Sequence, residues 1–550
     1  MIHRLRHIVF DYLYSLPISI SDIREFISVF NSITGVTDED VLKTNTNSLS
    51  LRECQDMLAH LNERTARQKK DGVYYTPEDL TEYMVLNAFN CYSFPGISNV
   101  VDSEVLYNTL GALSEKAFSR LIRTSVFDPT CGAGEFLLSA LRIKLSLLRF
   151  KKSSVTDSDI IRILSSIKGN DIEKVSVIIA KSRLLLECYS YLTDKKKVYD
   201  LLHAMDNNFT TDDYVATVRN KVPLYDIMLG NPPYFEYSTL SYTPEGGFGN
   251  VYCDVLNNVC QESSTSGVMA FVVPLSYIST PRMKRIRDII GNEFGKQFVM
   301  SFADRPDCLF VSAHQKLCII VAAKRSTKET KGVYTSTYYY WYKSERNLLF
   351  HDLTTSFNQE IGPDCFPKLG NEIEVSLFNK THGDGDTLLR LMSATTDTKS
   401  LYLNMRGCFW MKVFSKSPGS NEYKAFSVCA DNFGYIACIL NSSLFFTQWI
   451  ALSDCWHITR KDFKSFIVPD ISSEKKDLFN DLFRRLERRL EETKVYVGSK
   501  QVEYEYKHRL CKDIIDEIDD KLADVYNLGP EELQYVKSFK LKYRLSNDEQ

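Results

Sequence analysis

The sequence predicts an α/β protein built on a largely parallel sheet, with a helical segment before it and a separate domain after it. Three observations carry this expectation. Between about residues 71 and 325, strand-like apolar segments alternate with amphipathic helical stretches, the pattern of βαβ units. Residues 1–70 show apolar positions at helical spacing only. After "AAKRSTKETKG" the chain turns aromatic and β-prone, with Gly and Pro punctuation to about 470, and then closes in amphipathic helices.

Taken in order, "IREFISVFNSI" and "LRECQDMLAHLNERTARQKK" supply the first helices, the second ending in positive charge. Strands are expected at "TSVFDPT", "SSIKGNDI", "LYDIMLG", "GVMAFVVPLSYI" and "KLCIIVAAKR". The run "VYTSTYYYWYKSERNLLF" opens the separate domain, and "KKDLFNDLFRRLERRLEETK" and "YKHRLCKDIIDEIDDKLADVY" give its closing helices. The expected domains are therefore 1–70, 71–325 and 326–550.

A formal net charge of -3 means that any nucleic-acid contact must come from a local basic surface rather than from the whole molecule. The 14 cysteines include no CxxC pair, and several sit in apolar stretches, Cys318 and Cys438 among them. They read as reduced thiols of a cytoplasmic protein, and a zinc ribbon is not expected. His3 and His7 stand beside Arg4 and Arg6 and read as solvated, so no metal is expected. No apolar run reaches the length of a membrane span, and the N-terminal apolar stretch is interrupted by Asp11.

The first chemical site is "VFDPTCGAGEFLLSALRIKL", a strand, a Gly-containing turn and a helix. Gly132 and Gly134 let the backbone approach a ligand, and the helix aims its first amides at it. The dinucleotide pattern G-x-G-x-x-G fails because Leu137 occupies the third glycine's place, and Asp128 at the strand end suits a cationic ligand better than a pyrophosphate. In "IKGNDIEK", Asp171 at a strand tip can accept both hydroxyls of a ribose. In "LLHAMDNNF", Asp206 is the candidate at a third strand end near an adenine ring, with Asn207 as an equal claimant and a turn aspartate as the plain alternative.

The second site is "YDIMLGNPPYFEY". Two adjacent prolines donate no backbone hydrogen bond and hold the residue before them extended, so a buried strand must stop there with something rigid at its end. "FDPTCGAGEFL" followed by "GNPPY" resembles motifs I and IV of the S-adenosylmethionine-dependent DNA adenine-N6 methyltransferases, and "GVYYTPEDLTEYMV" resembles motif X in the gamma-class order. The resemblance implies a Rossmann-like class I methyltransferase sheet with one antiparallel strand, and S-adenosylmethionine as methyl donor. It places Tyr75, Thr76 and Pro77, then Asp128, Pro129, Cys131, Gly132 and Gly134, then Asp171, Ile172 and Asp206 around that donor.

Adenine's exocyclic amine is conjugated with its ring and is a poor nucleophile. Acceptors placed against its two protons draw it toward tetrahedral geometry and stabilise charge developing on nitrogen. Asn231 and the carbonyl of Pro232 are suited to that work, Pro233 makes the segment rigid, and Tyr234 can stack on a base turned out of the duplex. Glutamine methyltransferases acting on release factors and some RNA methyltransferases share NPPY, and a recognition subunit with a dead site is the non-enzyme alternative. The more than 300 residues after NPPY favour the DNA enzymes.

"SFADRPDCLFVSAHQKLCIIVAAKR" resembles motif VIII, where Phe310 would face the flipped adenine; the alternative is a core phenylalanine. "FGYIACILNSSLFFTQWIALSDCWHITRKDFKSFIVP" is similar to the target-recognition domains of Eco57I-like modification enzymes, with Trp456, His457, Thr459, Arg460 and Lys461 suited to phosphates and bases. "MRGCFWMKVFSKSP" reads as another strand of that domain. "PDISSEKK" is the only P-D…E-x-K arrangement, its gap expected at a helix start rather than across a metal, so it reads as chance, and 70 N-terminal residues are too short for a nuclease domain. The partners expected from the resemblance are double-stranded DNA and a separate restriction nuclease or defence-system subunit, with no membrane.

Overall fold

The computed structural model describes residues 1–36, 49–61, 76–152, 154–216, 224–310, 314–328, 330–358, 365–498 and 503–545. These form two compact units. The first comprises Met1–Tyr277, Arg282–Tyr334 and Ser344–Gln359, and the second Ile278–Pro281, Thr335–Lys343 and Glu360–Gln550.

In the first unit the apolar runs without alternation become strands buried on both faces, as expected where helices cover both sides of a sheet. The strands of the nine-stranded sheet are β1 (Val126–Asp128), β2 (Ile167–Asn170), β3 (Phe209–Thr210), β4 (Tyr225–Gly230), β5 (Ser263–Pro274), β6 (Lys296–Phe302), β7 (Leu317–Ala323), β8 (Gly332–Tyr339), whose residues from Thr335 onward are grouped with the second unit, and β9 (Ser356–Asn358). Their order is β3-β2-β1-β4-β5-β7-β6-β8-β9. Strands β1 to β5 pair in parallel, and β7 runs antiparallel to both β5 and β6. Every residue of β6 and β7 is buried.

The helices that position the site follow from the sequence in the same way. Helices α1 (Ile2–Ser15), α2 (Ile20–Thr34) and α3 (Leu51–Ala59) form the N-terminal group. Capping boxes of Ser19 with Asp22 and Ser50 with Glu53 start α2 and α3. The remainder of the helix expected over 51–70 lies outside the described residues. Helix α4 (Glu78–Ser93) begins after Pro77 and is buried almost all round, packing over β4, β5 and β7. Helix α5 (Glu135–Lys151) follows the turn after β1, and α6 (Lys174–Tyr191) the turn after β2. The N-terminal group packs on α6, with Phe26 edge-on to Tyr189 at 4.7 Å.

The chain does not pass into its second unit at one crossing near residue 326. The β-prone run "VYTSTYYY" instead supplies β8 of the large sheet, and residues 344–359 belong to the first unit. In the second unit, strands β10 (Thr398–Asn404), β11 (Val413–Phe414) and β12 (Tyr423–Cys429) form an antiparallel sheet. Around it lie α7 (Phe433–Asn441), α8 (Ser443–Leu452), α9 (Ser473–Thr493) and α10 (Lys512–Tyr526). The apolar pair ending in α7 and α8 bends by 63° and is buried; no single helix among the described residues is long and apolar enough to cross a membrane.

One half-buried and one buried histidine make this second unit sensitive to acid. His382 stacks on Phe378 at 4.1 Å, and burial pushes it down to about 4. His508 is buried edge-on to Phe414, and burial pushes it to about 3. An unfolded histidine takes up its proton near pH 6.5, so the stability these groups supply is complete above that pH and is lost as pH falls through 6.5 toward 4. Asp519, pushed up by burial to about 6, works in the opposite sense over part of the same window. The decisive quantity is thus the difference between wild type and His382→Gln/His508→Gln in denaturant unfolding at pH 7 and pH 5. The wild type should lose up to about 1.4 kcal/mol per pH unit per histidine relative to the variant. Superimposable pH profiles would contradict this account.

Candidate active site

The parallel strands deliver their C-terminal ends to one edge, and the site residues lie along it. Gly230 of β4 pairs with Phe271 of β5, Pro274 of β5 with Leu317 of β7, and Leu317 with Phe302 of β6. The β6–β7 connection carrying Phe310 therefore leaves from the same edge as Asn231. Asp128 and Asp171 follow or end β1 and β2 there as well.

Asp128 is 1% exposed, and its Oδ1 accepts from the Thr130 amide at 3.0 Å. Burial pushes its carboxyl well above the usual carboxylate range, and the Asp171 charge adds to the rise. The Cys131 amide donates to the Asn170 carbonyl at 2.7 Å, which ties the turn to β2. Asp171 accepts from the Gly132 and Glu173 amides, both at 2.9 Å, and burial raises its carboxyl too. Pro129 accepts from Asn170 Nδ2 at 3.0 Å.

The two turn glycines have different reasons to be glycine. Both have positive φ, 51° at Gly132 and 85° at Gly134. A Cβ at Gly132 would meet nothing within 4 Å, so it borders open space, as a ligand cradle requires. A Cβ at Gly134 would stand 2.9 Å from Ala180 Cβ, so this glycine lets α5 and α6 pack closely. Two more observations bear on whether the cradle fits S-adenosylmethionine. Thr130 Oγ1 is buried with no hydrogen-bond partner among the described residues, and Ile172 is 64% exposed beside Asp171. An orphaned hydroxyl, an acidic strand tip and an exposed apolar side chain suit the polar, ribose and purine parts of such a ligand.

Asp206 does not join this edge. It caps the helix Val198–Met205 three residues before β3, more than half exposed and 3.2 Å from His203. The register of β3 with β2 puts Asp206 and Asn207 at the opposite, N-terminal edge. Asp212, just past β3, lies instead at the C-terminal end of this third strand: its amide donates to Asn170 Oδ1 at 3.2 Å and its carbonyl accepts from Asn170 Nδ2 at 3.0 Å. The signal was the acidic pair in "NFTTDDY", obscured because β3 is only two residues long.

At the end of β4, Pro232 is buried and Asn231, Pro233 and Tyr234 are half-buried. Tyr234 Oη lies 2.5 Å from Asn231 Oδ1 and 2.9 Å from the Val272 carbonyl. Asn231 Nδ2 faces Thr76 Oγ1 at 3.5 Å, which brings the TP pair preceding α4 to the NPPY segment. Thr76 is buried, Pro77 caps α4, and Tyr75 lies outside the described residues. The Tyr234 ring meets the buried Tyr252 edge-on at 6.4 Å, and burial pushes its hydroxyl well above its ordinary value. Phe310 is 2% exposed, buried at this edge.

In the second unit, His457 and Arg460 are exposed and Trp456 is half-buried. Lys461 is committed elsewhere: its ammonium donates to the carbonyls of Ser279 and, at 3.2 Å, Leu452. The segment Trp456–Ile458 runs against Met405–Gly407, setting Arg406 opposite His457. Arg406 is a basic residue of this surface that the sequence reading passed over inside "MRGCFW".

A sheet in the order β3-β2-β1-β4-β5-β7-β6 with β7 antiparallel, carrying a glycine turn after β1 and an acidic tip after β2, is the class I methyltransferase architecture. Comparisons with known proteins lead to restriction-modification enzymes. A Methanocaldococcus jannaschii protein named as a type II restriction enzyme and methyltransferase, RM.MjaORFECS2P, is 27% identical over 177 residues, which take in 26% of this chain and 15% of the relative. The type IIL restriction-modification enzyme MmeI, solved in complex with DNA, matches 99% of this chain and 95% of its own with a TM-score of 0.55 at 11% identity, and shows the fold. The type IIG restriction endonuclease BpuSI matches at a TM-score of 0.44 and 11% identity, over 98% of this chain and 75% of its own. No family model matches the chain.

The contacts of Lys461 generate a test against its neighbour. Lys461→Met leaves carbonyls without their cation and should destabilise the protein by about 1–3 kcal/mol. Arg460→Ala, at an exposed position, should leave thermal unfolding unchanged. Equal thermal unfolding of Lys461→Met and wild type would contradict the structural role of Lys461.

Proposed function

We propose that this chain is a site-specific DNA methyltransferase that moves a methyl group from S-adenosylmethionine to N6 of an adenine turned out of the duplex, within a restriction-modification or related defence system. The observation that carries the reading is the Asn231-Pro-Pro-Tyr234 segment at the end of β4, on the same sheet edge as the Asp128 and Asp171 cradle. When bound, S-adenosylmethionine supplies a sulfonium methyl group. On this reading Asp171 would hold the ribose hydroxyls, Ile172 and Asp212 the purine, and the Asp128 turn with the Thr130 hydroxyl the cationic end.

Asn231 Oδ1 and the Pro232 carbonyl would accept hydrogen bonds from the two N–H groups of the target amine, so its lone pair can point at the methyl group. The Tyr234 hydroxyl has one proton and two acceptors within reach, Asn231 Oδ1 and the Val272 carbonyl. Donating to Val272 releases Asn231 Oδ1 for the amine. The Tyr234 ring stacks on the base, and Phe310 faces it from the β6–β7 connection. The methylated nitrogen then gives a proton to water, so no carboxylate or histidine with a shifted pKa is needed. In the second unit, Arg406, Trp456, His457 and Arg460 would read or grip duplex DNA, and a restriction nuclease or other defence subunit would be the protein partner.

Two substitutions separate the roles. Asn231→Ala should abolish methyl transfer while S-adenosylmethionine still binds, because the acceptor serves the amine. Asp171→Ala should weaken cofactor binding by about 1–3 kcal/mol for the lost carboxylate hydrogen bonds. Calorimetry beside a DNA methylation assay checks both. Equal loss of binding and transfer in Asn231→Ala, or unchanged affinity in Asp171→Ala, would count against the assignment. Methylation of RNA or of protein glutamine, with DNA left unmodified, would replace it.

A further inference from the structure

We propose that Arg346 is a positioning residue that couples the methyl-donor side of the site to the wall that holds Phe310. It lies in "KSERNLLF", in a 3-10 turn whose residues from Ser344 onward return to the first unit. Its guanidinium grips Asp79 with two prongs, Nε to Oδ2 at 2.6 Å and Nη2 to Oδ1 at 2.9 Å. Asp79 stands in the first turn of α4, just after the Thr76-Pro77 pair that faces Asn231. The remaining nitrogen, Nη1, donates to the Leu309 carbonyl at 3.1 Å and the Cys308 carbonyl at 3.5 Å, immediately before Phe310. One rigid, planar group thus ties the start of α4 to the backbone that aims Phe310. Only arginine has donors enough, in a fixed fork, to do this.

The packing around Arg346 supports the same role. Its guanidinium carbon lies 5.6 Å from the Phe350 ring, and that ring stacks on Tyr83 of α4 at 4.8 Å. The Phe350 ring also meets Phe302, at the end of β6, edge-on at 6.1 Å. The returning segment therefore contacts both α4 and the β6–β7 end by two routes, one polar and one aromatic. The side chains of Arg346 and Asp79 are 22% and 40% exposed, and ion pairs so placed add little to global stability. What the clamp fixes is geometry: the spacing between the Thr76–Asn231 side of the base pocket and the Phe310 side. Displacement of a stacking wall by about 1 Å is enough to cost a large factor in rate.

This inference rests on the adenine reading of Asn231 and Phe310. Its test uses the full chain and a duplex carrying the sequence it methylates, with 2-aminopurine at the target position. Arg346→Met should lower the single-turnover methylation rate by roughly 10- to 100-fold. It should also remove most of the 2-aminopurine fluorescence rise, while S-adenosylmethionine affinity stays within about twofold of wild type. Arg346→Lys, which keeps the charge but cannot span both partners, should fall between. Asp79→Ala combined with Arg346→Met should be no slower than the slower single variant. If Arg346→Met does not fold, Arg346→Lys decides by the same readouts. Wild-type rate and fluorescence in the arginine variants, or a rate that falls only in proportion to cofactor affinity, would overturn the coupling. A wild-type protein that neither methylates adenine nor gives the fluorescence rise would overturn the adenine reading and the coupling with it.

Discussion

The contact on which the site depends is between a glycine and a carboxylate. A Cβ on Gly230 would stand 2.7 Å from Asp128 Oδ1, so only glycine lets the last residue of β4 pass the carboxyl that ends β1. That closeness puts a cationic-ligand cradle and the NPPY acceptors on adjacent parallel strands. On the proposed reading, a transferable group held by one would be within reach of an amine held by the other. Burying Asp128 has an energetic cost, visible in a carboxyl pushed well above its ordinary range. A positive ligand beside it would offset that cost, which is a reason for a binding site to keep an otherwise unfavourable group.

The rest of the first unit holds this edge still. Arg183, buried in α6, donates to the Ala133 carbonyl at 2.8 Å and pairs with Glu135, so the glycine turn is fastened from behind. Gln55 of α3 donates to the Arg183 carbonyl at 3.0 Å and to Glu187 at 3.1 Å, and Arg142 joins Glu187 to Glu78 of α4 with two 2.9 Å contacts. The N-terminal helices thus have a physical connection to the glycine turn and to the start of α4. Networks of this kind rigidify when every member is satisfied.

Much of this was legible in the sequence because it depends on local rules. The apolar runs ending in Asp128, Asp171 and Asn231 are strands, and each chemical residue falls at a strand end. What escaped the sequence depends on tertiary placement. Asp206 proves to be the turn aspartate that stood as its plain alternative, and neither the length nor the direction of the two-residue β3 could be read from "LLHAMDNNF". Lys461 has the residue type of a phosphate contact, yet it caps carbonyls, and Gly134 has a packing reason beside Ala180 that no local pattern shows. Arg346 lay in a stretch assigned by its aromatic character to a separate domain, and nothing local shows that the chain turns back.

The central claim is that the acceptors of Asn231 and Pro232 act on the amine of adenine in DNA. It is tested most directly by sequencing DNA, with a method that detects N6-methyladenine, from a strain lacking its own adenine methylation and expressing the chain. The account predicts N6-methyladenine at one recurring sequence with the wild type, and none with Asn231→Ala produced at the same level. DNA without N6-methyladenine from a well-expressed, folded wild type that binds S-adenosylmethionine would contradict it, as would undiminished methylation by Asn231→Ala.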